Sequence, residues 1–505
     1  MPRQTAFEAL LRYRALISFL ILLLFCVFVF FWRLDAISLR KYDEARRAVN
    51  ALEMTLNGNL LVTYFGDQPD LWGTKPPLLV WLMAGCMKLF GYNELAVRLP
   101  AAVCAMATTV ILFLFSKVYL QSLQAALVSG FVLMTTYGFI AEHVARTGDY
   151  DAVLILWITV YSLAYFVCLN TNNSKKGIYL WAVTITLILA VWTKGIAGLL
   201  PLPGLFVYTL YRRKLRELLF SPQFYRSIVL FLLFALGYYV LREIHNPGYL
   251  KAISENELAG RYLNTLEGNR GGGFWFYLRR MTDLFIPWLY LLPICFLLTQ
   301  YSNNRLFRQF GAFSLFYLVC HYSIISLSKT KIVWYSAPQY PIAALVIGLG
   351  IAEASRLLLE YYRVNDFSKR QLISGLLVAS ILLLPSARIL RKIQGTYTYN
   401  RPQDPPELQY GYYFRQLRKT QPQLTHFSVV DDSHTNHLQF YTKAANLNGY
   451  SIGLVSPDQA LTQNEVVVTC APSIGKALVS RYQLQPLQAG KPCNTYKVVG
   501  PANPD

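Results

Sequence analysis

The residues best suited to chemistry in this chain are carboxylates and cations that recur in five separate stretches between long apolar runs. The first, 41–57, carries Asp43, Glu44, Arg46, Arg47 and Glu53. Lys75 follows inside Trp72-Gly73-Thr74-Lys75-Pro76-Pro77-Leu78, and Arg146-Thr147-Gly148-Asp149-Tyr150-Asp151 sets two acids and an arginine within one turn. The stretch 244–282 holds Glu255, Glu257, Arg261, Tyr262 and Gly271-Gly272-Gly273, and Ser328-Lys329-Thr330-Lys331 precedes Trp334, Tyr335 and Pro338. Cations at such places hold an anion and stabilise a departing one, while a carboxylate takes a proton from an attacking group.

What must position these residues is a membrane. Of 505 residues 54% are hydrophobic and 15% charged, against roughly 25% charged in soluble domains, so the chain reads as a mainly α-helical polytopic membrane protein. A span needs about 20 apolar residues. Eleven candidates fit, near 15–32, 98–118, 125–142, 152–169, 178–193, 195–211, 226–243, 283–299, 312–327, 337–354 and 372–389, and the expected total is about 11–13. The run 78–90 is shorter and reads as a re-entrant or interfacial helix. Lysine and arginine gather on alternate loops, at Lys175-Lys176, Arg212-Arg213-Lys214-Arg216, Arg305 and Arg308, and Arg356 to Arg370. These mark the cytoplasmic side, with the N-terminus, and put the tail after 389 outside. All five chemically equipped stretches then fall on the extracytoplasmic face.

Local patterns refine this. Tyr42, Ala45, Val49, Leu52 and Leu56 recur at steps of three and four, giving an amphipathic surface helix over 41–57 that ends at Asn57-Gly58. Its charges read either as a solvated face with helical ion pairs or as a catalytic carboxylate, Asp43 or Glu44, just beyond the first span. Thr74 is placed to cap the helix after Pro76 and Pro77, leaving Lys75 at an anion-favouring helix start or snorkelling to headgroups. The long stretch 244–282 with its triple glycine reads as a lid. Residues 397–505 are polar with short β-rich runs, a small soluble α/β domain set apart from a membrane domain over 1–396. Six of the eight cysteines sit in apolar runs; Cys470 and Cys493 lie in the tail and form either a disulfide or two buried thiols. The six histidines are scattered without ligand spacing, so no metal and no other cofactor is expected. The net charge of +20 is spread over separate loops and does not suggest nucleic acid.

Taken in order, the motifs resemble a known group. Tyr42-Asp43-Glu44-Ala45-Arg46, Gly58, Lys75-Pro76-Pro77-Leu78 with Trp81, and Arg98-Leu99-Pro100 are similar to the first outer loop of superfamily C (GT-C) membrane glycosyltransferases. This group includes lipid A aminoarabinose transferases and protein O-mannosyltransferases. Arg146 with Asp151, Lys194-Gly195, Arg261-Tyr262, and Lys329-Thr330-Lys331 through Tyr335, Pro338 and Tyr340-Pro341 continue the likeness over about 30–350. The resemblance implies a GT-C fold and inverting transfer of a sugar from a polyprenyl-phosphate carrier to a lipid A, glycan or protein acceptor. It further implies a bacterial inner-membrane protein acting as a monomer among membrane lipids.

By the same carry-over Asp43 is the catalytic carboxylate, and Asp151, paired with Arg146, shapes the site. Lys75, Arg261, Tyr335 and either Lys329 or Lys331 hold the lipid phosphate, with Glu44, Arg46 and Tyr262 completing the substrate-binding set. Two departures stand out: Thr74 replaces the glutamate that often precedes Lys-Pro-Pro in aminoarabinose transferases, and the stretch just after Arg261 offers Asn264, Glu267 and Asn269 without a histidine. The competing reading is a transporter or flippase for a lipid-linked or anionic solute. It calls for charges near mid-span and an internal repeat, and the sequence offers few of the former and none of the latter.

Overall fold

The structure is a computed structural model. It describes residues 6–141, 143–171, 173–263, 272–399, 401, 404–431, 435–488 and 493–502, by main chain alone at 6–12, 173, 174, 258, 259, 261–263, 418 and 420. The chain divides into two compact units, one of 1–32, 71–79 and 101–395, the other of 33–70, 80–100 and 396–505. The first outer loop, 33–97, is divided: 33–70 and 80–97 belong to the second unit, and 71–79, with Lys75, to the first.

Among the described residues eight helices are long and apolar enough to span a bilayer, with a ninth if one bent pair counts as a single span. These match eight of the eleven expected spans, and the remaining three account for the shortfall from 11–13. The run 125–142 is broken into the helix Leu123–Thr135, 13 residues and about 20 Å long at 1.5 Å per residue, and the four-residue helix Tyr137–Ile140. The first ends where Thr136 turns extended (φ −77°, ψ 108°). The run 195–211 opens with 3-10 turns over Gly195–Leu199 and continues as the ten-residue helix Leu202–Tyr211. Gly195 has φ +58°, a conformation that glycine adopts without strain. The third run bends by 102° between Phe276–Leu284 and Trp288–Tyr301. Pro287, which lacks an N–H and disfavours helix in the residue before it, stands at the bend. The run 78–90 is the 13-residue helix Leu78–Phe90.

Within the first unit, helix Tyr150–Asn170 is apolar on all sides and 78% of its spanning window is buried, whereas Phe367–Thr396 is only 17% buried in its window. A helix that is apolar all round belongs in a core or in lipid. Close approach comes from small residues, as expected where helix association cannot draw on water. A side chain at Gly348 would run into Ser129 and the Ala125 carbonyl, and one at Gly350 into Cys295.

The second unit contains a five-stranded sheet in the order Ser451–Val455, His426–Val430, Val466–Thr469, Asn494–Pro501, Tyr482–Gln488. The first three strands run parallel and the last two antiparallel to their neighbours. Cys470 and Cys493 form a disulfide that joins the end of Val466–Thr469 to the start of Asn494–Pro501. The amphipathic helix is Asp43–Asn57, closed by Gly58 at φ +72°. Buried Arg98 ties its start in place: Nε and Nη2 donate to Glu44 at 2.6 and 2.9 Å, and the remaining donors reach the carbonyls of Leu34, Ile37 and Ser38. Arg46 pairs with Asp70 at 2.6 Å and lies over the Phe65 ring. Tyr441 and Arg415 donate to Glu94 at 2.6 and 2.8 Å. Lys443 bridges Glu53 and Asp67 at 2.6 and 2.7 Å.

Burial opposes the charge on Lys443, but its hydrogen bonds to Asp67 and Glu53 outweigh burial and raise its pKa above the ordinary lysine value. A raised folded pKa means that this contribution is complete below the unfolded lysine value and fades as pH climbs through the folded one. Glu53 keeps the amides of Gly66 and Asp67 when the lysine is removed. Lys443→Met is therefore expected to cost about 1–3 kcal/mol. Thermal unfolding of the full chain in detergent should show a gap from wild type that is constant between pH 6 and 9 and narrows only in strong alkali. An unshifted midpoint at neutral pH would remove this bridge from the account.

Candidate functional site

A cavity of about 420 Å³ opens within the first unit, a size that suits a small ligand or the head of a larger one. One wall is apolar, formed by Leu154, Ile196, Leu200, Ile324, Ile325 and Pro338. The other carries Lys75, Asp151, Lys194, Glu257, His321 and Tyr335.

The charged wall is built from two lysine–carboxylate pairs. Asp151 lies one residue into helix Tyr150–Asn170, where a helix start favours an anion. Lys194 ends Asn173–Lys194, and the antiparallel run of the two helices brings that end beside Asp151. The Lys194 ammonium donates to both Asp151 oxygens at 2.7 Å. It also lies 5.5 Å from the centre of the Tyr335 ring. The second pair joins Lys75 to Glu257, which lies on the π-helical turns Ser254–Leu263. Thr74 donates its hydroxyl to the same carboxylate at 2.7 Å, and Tyr249 donates to the Thr74 carbonyl at 2.9 Å. Thr74 thus serves Glu257 rather than the helix cap expected of it. His321 is fully buried, with Gln339 3.1 Å from its Nδ1.

Next to this wall, His143 stacks on Trp334 with centroids 3.6 Å apart and stands 3.2 Å from Asp149. These contacts join the 143–151 turn to the segment that presents Tyr335. Such a wall can hold a phosphate by its ammonium groups and phenol while a greasy chain follows the apolar side.

Of the residues expected from sequence, Lys75, Asp151 and Tyr335 meet here. Lys329 is exposed and does not line the cavity. Lys331 is buried and closes the end of helix Arg305–Leu327, donating to the carbonyls of Ser326, at 2.6 Å, and Ser328. Burial pushes its pKa below the lysine value. Arg146 does not serve as the partner expected for Asp151; it is buried and donates to the carbonyls of Val29 and Trp32, both at 2.6 Å. Glu44 and Arg46, expected at the substrate, are engaged by Arg98 and Asp70 inside the second unit. Asp43 opens helix Asp43–Asn57 in that unit, half exposed and 3.5 Å from Arg47. The side chains of Arg261 and Tyr262 lie outside the described residues. Lys194, Glu257 and His321 carry no assigned role in the sequence reading, although a lysine at the end of an apolar run is itself a functional signal. Among the described residues no three histidine, cysteine or acidic side chains group as they would around a metal ion.

Comparison with known proteins places these features. The family model described as dolichyl-phosphate-mannose-protein mannosyltransferase matches residues 74–239. The undecaprenyl phosphate-alpha-4-amino-4-deoxy-L-arabinose arabinosyl transferase 2 of Proteus mirabilis is 25% identical over 355 residues, 70% of this chain and 62% of its own. The chain thus spans less than two thirds of the length of that relative. ArnT from Cupriavidus metallidurans in the apo state superposes with a TM-score of 0.70 at 16% identity, covering 96% of this chain and 98% of that one. The same protein bound to undecaprenyl phosphate gives 0.65 at 16% identity, covering 95% and 97%. The fold is the one seen in these ArnT structures. In sequence the chain is similar to the aminoarabinose transferases.

The Lys194–Asp151 pair gives a sharp test. Removing one partner of a buried pair leaves an uncompensated charge and costs about 3–5 kcal/mol, whereas replacing both with apolar groups costs far less. Asp151→Leu should therefore lower the unfolding midpoint strongly, and Asp151→Leu with Lys194→Met should recover most of the loss. A double variant as unstable as the sum of the single ones would show that the two groups are uncoupled.

Proposed function

We propose that this protein transfers a sugar from a polyprenyl-phosphate carrier to an acceptor hydroxyl on the extracytoplasmic face of a bacterial inner membrane. The observation that carries this reading is the cavity in which Lys75, Lys194 and Tyr335 stand against an apolar wall. That combination suits a lipid phosphate and offers nothing for a nucleotide base. The likeness to undecaprenyl-phosphate sugar transferases supports the same donor class and makes a 4-aminoarabinose carrier the first donor to try. The outward face is supported by basic residues concentrated on the opposite loops. The Cys470–Cys493 disulfide adds to this, since such bonds persist in oxidising compartments.

In this reading the acceptor oxygen attacks the anomeric carbon from the face opposite the phosphate, and the carbon–oxygen bond to the carrier breaks with inversion. The phosphate leaves with the bonding electron pair, and the ammonium groups of Lys75 and Lys194 with the phenol of Tyr335 stabilise its charge. The acceptor proton passes to a carboxylate, Asp43 by resemblance. Asp43 is half exposed and 3.5 Å from Arg47. Lipid A, another glycan and a protein remain the acceptor classes. The scheme draws on these side chains and invokes no divalent cation.

Asp43→Asn should lower kcat by about 10²–10⁴-fold with the unfolding midpoint kept; near-normal turnover would take Asp43 out of the mechanism. Lys75→Ala should raise the KM for the lipid-linked donor by about 10–100-fold, since a lost charge-assisted contact is worth about 1.5–3 kcal/mol. An unchanged KM would mean that Lys75 only anchors the fold. Mass spectrometry of envelope glycolipids and glycoproteins from cells with and without the gene would name the sugar and acceptor together. Loss of a transported solute, with every glycan intact, would overturn the transferase reading. Transfer in excess EDTA should stay within about two-fold of the untreated rate; abolition by EDTA, reversed by one added metal, would put a cation back in the mechanism.

A further inference from the structure

Among the described residues that line the cavity, Lys75 and Lys194 each hold a carboxylate, so these charges balance before any ligand arrives. A lipid phosphate that enters must either add an anion to this balanced wall or displace one already there. The two resident carboxylates are not equally displaceable. Asp151 is 3% exposed, fixed in the most buried spanning helix, and both its oxygens are taken by Lys194. Glu257 instead lies on π-helical turns, a rare conformation that is frequent at functional sites. It reaches into the cavity from outside the spanning helices. The Thr74 hydroxyl steers one of its oxygens, and Lys75 takes the salt bridge.

We infer that Glu257 is an internal anion occupying the place of the donor phosphate on Lys75, so that donor binding and product release are exchanges of one anion for another. This rests on the donor-site reading above. Exchange keeps the charge balance of the wall constant through the cycle, with the Asp151–Lys194 pair undisturbed. It also weakens the hold on the carrier phosphate left after transfer, because Glu257 competes for the lysine as that product departs. The side chain of Thr74 is part of the device. Where a glutamate precedes Lys-Pro-Pro, a carboxylate is supplied next to the lysine by the same segment; here a threonine there receives one from 183 residues away.

The test is binding of geranylgeranyl phosphate to the full-length protein in detergent, with geranylgeraniol as the phosphate-free control. Glu257→Gln is expected to bind the phosphate about 10-fold more tightly than wild type and the alcohol equally. Thr74→Val, which loosens the carboxylate without removing it, should tighten binding by about 2–5-fold and keeps the proposal testable if Glu257→Gln fails to fold. In turnover, Glu257→Gln should be inhibited by added geranylgeranyl phosphate at about ten-fold lower concentration than wild type. If Lys75→Ala loses phosphate binding while Glu257→Gln and Thr74→Val bind no better than wild type, the exchange is wrong and the donor site stands. If Lys75→Ala and Lys194→Met bind the phosphate as well as wild type does, the donor-site reading itself fails.

Discussion

Pairing of charge inside an apolar body is the constraint on which the first unit depends. A buried ammonium group loses the water that solvates it, so it persists only with acceptors at hydrogen-bond distance, and a carboxylate also neutralises its charge. Lys194 and Asp151 satisfy this with two contacts of 2.7 Å between neighbouring spanning helices. Lys75 satisfies it through Glu257. The chemistry available to the cavity follows from that requirement: its cations are present because resident anions hold them, and they meet a ligand anion from a compensated state.

The second unit obeys the same rule with arginines. Arg98 has its guanidinium donors on the Glu44 carboxylate and on three carbonyls of 34–38, a planar fork meeting both oxygens of one acid. Arg415 and Tyr441 converge on Glu94 in the same way. These contacts set the first outer loop against the tail helices of its own unit. Glu44 and Arg46, inside the recognisable motif, are held by Arg98 and Asp70 in these contacts. A motif records every residue that a site requires, including those that only hold its neighbours in place.

Much of the architecture was legible because hydropathy is local. Eight of eleven expected spans are helices of spanning length, and the helix over 41–57 forms as its periodicity predicts, starting at Asp43 and closing at Gly58. The three that failed did so where a short feature overrode composition: Thr136 in extended conformation, the turn at Gly195, and the bend at Pro287. Apolar content says that a segment avoids water, but whether it crosses alone is decided by where its hydrogen-bond ladder stops.

The sequence by itself determined that the chain lives in a membrane and which loops carry its charges, and it singled out Lys75, Asp151 and Tyr335, which line one cavity. Tertiary structure alone decided the partners. Lys194 meets Asp151 across 43 residues and Thr74 meets Glu257 across 183, while Lys331 turns away to close a helix and Arg146 to hold two carbonyls. The reason is one of range. Whether a side chain is charged and near a helix end is fixed within a few residues, but which opposite charge neutralises it depends on how distant helices pack.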